Sequence, residues 1–197
     1  MDSLQALRID LARRSKWNIG YFAAGFVYWC FAAVVGAVLP IESARVWWMI
    51  GGLTIFPMAI VLSRLLGSDP FTKGNTLSSL IALTHVSLIY LLMPLVVVAF
   101  LRLPTALPLA MAICFGVSYP VFSWAFGDRI FLWHSIIRVL GATVIWFALP
   151  QYRYTLLPSF VAVAYLATTV ILPGRREAWL RAHTVDDRKN GSCSAIG

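Results

Sequence analysis

Residues 77–101 read LSSLIALTHVSLIYLLMPLVVVAFL, and no Asp, Glu, Lys or Arg interrupts them. A helix needs about 20 mainly apolar residues to cross the hydrocarbon layer of a membrane, and this run is long enough. A helix that is apolar on all its sides must lie either in a protein core or in lipid. The stretch therefore predicts a transmembrane helix.

The rest of the chain has the same character. Of its 197 residues, 60% are hydrophobic and 12% charged, and the mean hydropathy is +0.80. A soluble domain of this length could not hide so much apolar surface from water. The net charge of +8 does not indicate a nucleic-acid partner, because the basic residues lie at the ends of apolar runs instead of clustering on one face. Composition thus predicts a polytopic, all-α membrane protein with membrane lipids as its partners.

Pro, Gly and charged residues divide the chain into six apolar runs. We place the spans at residues 18–39, 46–66, 77–101, 105–126, 130–149 and 155–172. With these spans, twelve of the sixteen basic residues lie on one side of the membrane and three on the other, with Arg138 inside the fifth span. Cytoplasmic loops carry the excess of Lys and Arg, so we expect both termini in the cytoplasm.

Two basic segments flank the six-helix domain, which we place at residues 17–173. Residues 1–16 carry Leu4, Leu7 and Leu11 on one helical face and arginines elsewhere, which predicts an interfacial amphipathic helix along the inner leaflet. Residues 174–197 begin as a basic cytoplasmic tail and end in small polar residues, where we expect disorder. Both segments are typical of topology anchors attracted to anionic lipid, and a regulatory role is the alternative.

Ionisable residues inside a membrane are costly, and each one is a candidate functional residue. His134 and Arg138 stack on one face of span five, about 6 and 12 Å from its cytoplasmic start. Span four runs in the opposite direction and brings further polar residues to the same leaflet, and Pro120 should leave the Gly116 carbonyl without its amide donor. We therefore predict a polar pocket open to the cytoplasm. Its candidate binding residues are Ser78, His85, Ser118, Tyr119, Ser123, Asp128, His134 and Arg138.

Other interpretations of these residues stay open at this point. Arg138 could extend its guanidinium back to the headgroups, or pair with Asp128 or a backbone carbonyl, instead of binding a ligand. His85 could form only an interhelical hydrogen bond. Small residues four apart, at Gly20 and Ala24, Ala32 and Gly36, and Ala106 and Ala110, suit either packing within the chain or a homo-oligomer.

Three classes of function fit this pattern. The leading one is transport or binding of a small solute or lipid headgroup, and Arg138 favours an anionic one, since a guanidinium pairs with carboxylate or phosphate. The second is a metal-dependent or lipid-directed intramembrane enzyme that uses His85, Asp128 and His134, although the common hydrolase and metal motifs are lacking. The third is a non-catalytic membrane subunit or assembly factor. We expect no cofactor and no metal, and we assign the three cysteines to packing.

Three short motifs carry a resemblance to a known family. They are GYFAAGFVYW in the first span, DPFTKGNTLSSL before the third and YTLLPSFVAVAYL in the sixth. With the basic N-terminal helix, they resemble a bacterial family of six-span membrane proteins defined as a domain of unknown function. The resemblance extends to about Leu172. It implies six spans and a location in the inner membrane, and it implies no activity.

Overall fold

A computed structural model describes the backbone of residues 3–193 and the side chains of residues 3–183. Within these residues the chain is helical and contains no strand. The eight α-helices are α1 (Leu4–Arg14), α2 (Ile19–Val38), α3 (Ile41–Leu65), α4 (Thr76–Arg102), α5 (Leu107–Cys114), α6 (Tyr119–Phe126), α7 (Ile130–Ala148) and α8 (Leu156–Cys193). The all-α prediction is confirmed.

Six helical segments are long and apolar enough to cross a membrane, as the sequence predicted. Their bounds are Lys16–Val38, Ile41–Leu65, Thr76–Arg102, Pro104–Phe126, Ile130–Ala148 and Leu156–His183. Five of them agree with the predicted spans to within a few residues. The sixth is longer, because α8 continues as a helix through Pro173 to Cys193. The predicted disorder of the last stretch falls mostly on residues 184–197, whose side chains lie outside the described part of the chain.

The bundle is built around α2 and α8, which are the most buried of the continuous spans, while α3 and α4 lie at the periphery. Glycines allow the close approaches of α2. The position of a Cβ on Gly20 falls on Ser63 of α3, and that of a Cβ on Gly25 falls on the ring of Tyr165 of α8. A Cβ on Gly36 would fall on the Tyr154 carbonyl, and Ala24 and Ala32 are buried. The two predicted small-residue pairs of the first span therefore serve packing within the chain. The third, at Ala106 and Ala110, lines an apolar groove of about 300 Å³ between α4 and α5.

Helix α1 docks against the ends of the spans, and we call it the N-terminal strap. The Ser3 hydroxyl caps its first turn, at 3.1 Å from the Ala6 amide. Leu11 is buried, whereas Leu4 remains 44% exposed. Arg8 donates to the Trp124 carbonyl at the end of α6, at 2.6 Å.

The loop between α3 and α4 holds the other end of the strap. Arg14 forms an ion pair with Asp69 at 3.0 Å, and the Asp69 amide donates to the Arg14 carbonyl. Burial raises the pKa of the Asp69 carboxyl, but backbone hydrogen bonds from Phe71 and Thr72 and the Arg14 guanidinium outweigh it, so this pKa lies below its usual value. The strap is therefore fixed to the bundle by polar contacts as well as by apolar packing.

An unusual turn joins the strap to α2. Lys16, Trp17 and Asn18 have φ angles of 47°, 57° and 56°, which is the left-handed region. This conformation costs an L-amino acid roughly 1–2 kcal/mol per residue. The turn places the Trp17 side chain, which is fully buried, against Phe126, Phe131 and the ring of Trp179 on α8. Burial of a large aromatic side chain offsets the backbone cost.

Candidate functional site

The fourth span is a broken helix. Its halves, α5 and α6, are separated by a turn at residues 115–118. The sequence explains the break, because Pro120 has no amide proton and Gly116 weakens a helix. At the turn the Gly116 amide donates to Ile113, three residues earlier, at 2.8 Å. Irregular backbone at membrane depth occurs where it is surrounded by protein or lines a cavity.

Arg138 of α7 lies beside this break. It is eight residues into the helix, or about 12 Å along its axis. Its side chain is fully buried, and Nη1 donates to the Tyr165 hydroxyl. The guanidinium carbon lies 5.2 Å from the ring centre of Tyr119 and 5.1 Å from that of Tyr165. Arg138 thus does not extend to the lipid headgroups, which was one of the interpretations left open by the sequence.

The guanidinium of Arg138 has two nitrogen atoms, Nε and Nη2, without a hydrogen-bond partner among the described residues. It also forms no ion pair there. Most acidic residues whose side chains are described pair with other arginines: Asp10 and Asp69 with Arg14, Glu42 with Arg45, and Asp128 with Arg175. The remaining one, Glu177, is exposed and follows the apolar part of α8. The described part of the chain therefore leaves a buried cation with no carboxylate to neutralise it.

Asp128 occupies a different position from the one that pairing with Arg138 would require. Its carboxylate accepts from Arg175 Nε at 3.2 Å and from Nη2 at 2.9 Å, and it also accepts from the Ile130 amide at the start of α7. Asp128 thus joins α7 to α8. Arg175 holds this carboxylate with Nε and Nη2, and these are the two nitrogens of Arg138 for which the described side chains and backbone supply no partner.

Gly116 makes room for the guanidinium. A Cβ at this position would lie 2.5 Å from Arg138 Nη2 and 2.9 Å from the Ala112 carbonyl oxygen. The end of α5, where the helix dipole is negative, thus approaches the cation. The Gly116 carbonyl is not free, as the sequence had suggested, because it accepts from the Ser135 hydroxyl of α7 at 2.8 Å.

Polar groups from three spans surround Arg138. The Tyr119 and Tyr165 hydroxyls lie 3.1 Å apart. His134 is 4% exposed, and its Nδ1 lies 2.8 Å from the Thr168 hydroxyl. Thr168 donates its own proton to the Ala164 carbonyl, so His134 Nδ1 is the donor. Within the described part of the chain, His134 Nε2 has no hydrogen-bond partner. Tyr119, His134 and Arg138 were predicted to lie together, and the structure brings them together.

Of the other predicted site residues, His85 and Ser118 lie at the break in span four, whereas Ser78, Ser123 and Asp128 lie at the ends of spans. His85 Nδ1 is 2.7 Å from the Ser118 hydroxyl, which joins α4 to the break in span four. Ser78 donates to the Phe71 carbonyl in the preceding loop, and Ser123 donates to the Asp128 carbonyl. Ser78, Ser123 and Asp128 therefore serve local structure at the ends of the spans.

Three further residues of the site, Tyr165, Thr168 and Ser135, were not predicted from the sequence. All three lie within apolar spans and belong to uncharged residue types, so a search for charged residues passes over them. Tyr165 and Thr168 are three residues apart and share a face of α8. This spacing is the signal that could have indicated a polar face in the sixth span.

The site is closed on the side of the strap, in contrast to the open pocket that we predicted. Phe22 contacts both Tyr119 and His134, with ring centres 5.2 Å apart in each case. Phe131 packs between Phe22 and Trp17. These rings are fully buried and separate Arg138 from the strap. We call Trp17, Phe22, Phe126 and Phe131 the aromatic cover.

The described residues contain no group of three or more His, Cys, Asp or Glu side chains that could hold a metal ion. His85, Asp128 and His134, which the sequence offered as ligands, each contact a different partner. Nothing in their arrangement supports the metal-dependent alternative.

Six apolar helices, one of them broken beside a buried arginine, define a polytopic integral membrane protein. A family model matches residues 4–174, and its description is a family of unknown function, DUF7010. The match covers most of the chain, and the protein therefore belongs to this family. The resemblance seen in the sequence is thus confirmed. No curated protein and no solved structure matches the chain.

Proposed function

We propose that this protein binds a small anion at Arg138 and carries it across the membrane. The observation that supports the proposal is the buried Nε and Nη2 edge of Arg138, which has no acceptor among the described residues. Buried charges in proteins are normally paired, because an unpaired one costs several kcal/mol or more. A ligand with a negative charge would supply the missing partner.

The broken fourth span also supports this function. In many transporters the substrate site lies near the middle of the membrane, beside helices interrupted by irregular backbone. Arg138 and the turn at residues 115–118 have this relation, since Nη2 packs on Gly116. Tyr119, at the start of α6, and Tyr165 present hydroxyls next to the guanidinium. A bound anion would therefore meet both a fixed charge and polar groups.

Access to the site requires movement, because the aromatic cover closes it. The strap and its left-handed turn are suited to this movement, because relaxation of the strained backbone at Lys16, Trp17 and Asn18 would offset part of the cost of withdrawing Trp17 from the cover. Displacement of Trp17 would open a path from the strap side to Arg138. We propose that this is the route of the anion.

We also propose a bacterial inner membrane as the location, with both termini in the cytoplasm. The support for this orientation is the excess of basic residues on the side of the strap. Contact between Trp17 and Trp179 agrees with termini on a common side of the membrane.

Uptake into proteoliposomes tests the function. Purified protein is reconstituted, and the uptake of radiolabelled acetate, propionate or phosphate is compared among wild type, Arg138→Gln and the control Arg153→Gln. Arg153 is a half-buried arginine at the other end of the bundle, bonded to the Trp146 carbonyl. We expect uptake by wild type and by the control, and its loss in Arg138→Gln. Failure of the folded wild-type protein to bind or transport any of the anions would favour a membrane subunit instead.

A further inference from the structure

Two features of the Arg138 site define the chemistry of its ligand: its total charge and the geometry of its free donors. Resting on the anion site proposed above, we infer that the ligand is a small monocarboxylate, bound with both oxygens along the Nε and Nη2 edge. The total charge of the site favours a ligand with one negative charge. The two parallel donors of the Nε and Nη2 edge favour a carboxylate.

Arg138 is the one basic residue that the sequence places inside an apolar span away from its ends. Arg175, at the neighbouring end of α8, is already paired with Asp128. The other titratable groups that interact with the guanidinium, from His85, Tyr119, His134 and Tyr165, carry no permanent charge.

A monoanion and Arg138 form a neutral pair at this depth. A dianion would leave one negative charge without a partner in a site that the structure keeps away from water. Such an uncompensated buried charge is strongly unfavourable. We therefore expect the affinity for a dianion to be lower than that for a monoanion of the same size by at least about 100-fold.

The donor geometry selects a group with two oxygens. Nε and Nη2 point in parallel along one edge of the planar guanidinium, and this fork matches the oxygen spacing of a carboxylate. Arg175 provides an example within the same chain, since its Nε and Nη2 hold both oxygens of Asp128. Arg138 Nη1 is already bonded to the Tyr165 hydroxyl, and the guanidinium carbon lies 5.2 and 5.1 Å from the ring centres of Tyr119 and Tyr165. Nε and Nη2 are therefore the donors that remain for a ligand.

Aromatic rings pack closely around the site. Phe22 and Tyr119 lie close to His134, with ring centres about 5 Å from its imidazole. Because these side chains are buried, the acids chosen as probes are short ones.

Ligand-dependent thermal stabilisation tests the inference on the full-length protein. The protein is placed in phosphatidylcholine nanodiscs at pH 7.5 with sulfate as the only background anion. The ligands form matched pairs with one and two charges: propionate with malonate, and monomethyl succinate with succinate. Chloride serves as a monoanion without two oxygens. A ligand that binds the folded state raises the unfolding temperature in a concentration-dependent way.

We expect propionate and monomethyl succinate to give half-saturation at concentrations at least about 100-fold below those of their dianionic partners. The effect should disappear in Arg138→Gln and persist in Arg153→Gln. Arg138→Lys keeps the charge and loses the fork, so it should bind propionate about 10-fold more weakly and still reject malonate. This second variant keeps the test valid if Arg138→Gln does not fold.

Each other outcome overturns a defined part of the account. Equal or tighter binding of malonate would refute the monoanion inference and leave the anion site intact. Binding of chloride as tight as that of propionate would refute the carboxylate. Loss of propionate binding in nanodiscs that contain phosphatidylglycerol would assign the edge to a lipid phosphodiester instead. If none of these anions binds the folded wild-type protein, the proposed function itself fails.

Discussion

Replacement of Arg138 by methionine should stabilise the ligand-free protein and abolish anion binding. Two buried donor groups, Nε and Nη2, have no partner among the residues that the structure describes, and each such group costs about 1–3 kcal/mol. The hydrogen bond to Tyr165 and the ring contacts recover about 1.5–3 and about 1–2 kcal/mol respectively. Methionine removes the remaining cost of burying the charge. Replacement of whole buried ion pairs by apolar residues gains about 1–4 kcal/mol, and this range sets the scale for Arg138.

The Tyr165 hydroxyl would not be orphaned by this change, because it lies 3.1 Å from the Tyr119 hydroxyl. We therefore expect a gain of about 1–3 kcal/mol, and for a chain of this length each kcal/mol corresponds to roughly 2–4 °C in the unfolding midpoint. The assay is thermal unfolding in nanodiscs at one fixed scan rate, with Arg153→Met as the control. A midpoint that falls by several degrees would refute the reasoning, since Arg138 would then be part of the structural framework.

Three further variants test the surrounding structure. Arg175→Met should lower the unfolding midpoint, because it leaves the Asp128 carboxylate, which is 8% exposed, without its partner. The free energy of unfolding should fall by about 1–3 kcal/mol, less than for a fully buried pair. An alanine at Gly116 would place its Cβ 2.5 Å from Arg138 Nη2, so Gly116→Ala should weaken anion binding at least about 10-fold. The control is Gly174→Ala, whose Cβ would meet no atom within 4 Å, and it should leave anion binding unchanged. Arg14→Ala removes the ion pair to Asp69, and amide hydrogen exchange should become faster in residues 4–18 and stay unchanged in α7; equal exchange in wild type and variant would show that the strap does not depend on this pair.

The sequence was sufficient for the span count, because each apolar run ends at Pro, Gly or charge and lipid selects strongly for length. Local patterns also indicated the unusual character of span four, where Gly116 and Pro120 stand four residues apart. The strap could not be anticipated in the same way. A pattern with Leu7 and Leu11 on one face indicates an apolar stripe, and it does not reveal whether lipid or protein covers that stripe.

The site was predictable only in part, for a physical reason. His134 and Arg138 are conspicuous because charge is rare at membrane depth. Their neighbours Tyr165 and Thr168 are neutral residues in an apolar span, and only the packing of α8 against α7 gives them a role. The depth of a residue in the membrane also did not identify the partner of Asp128. Arg138 and Arg175 both belong to the half of the bundle that contains Asp128, and the direction of each side chain determines which of them reaches the carboxylate.

The central claim is that the Nε and Nη2 edge of Arg138 binds a carboxylate. The most direct measurement is a ¹⁵N spectrum of the arginine side chains in nanodiscs, titrated with propionate, with the Arg138 Nε signal assigned from its absence in Arg138→Lys. Burial should protect this proton from exchange and make it visible. We predict a saturable shift of the Arg138 Nε signal while that of Arg175, already paired with Asp128, stays in place. An Arg138 signal that does not move at any propionate concentration would contradict the account.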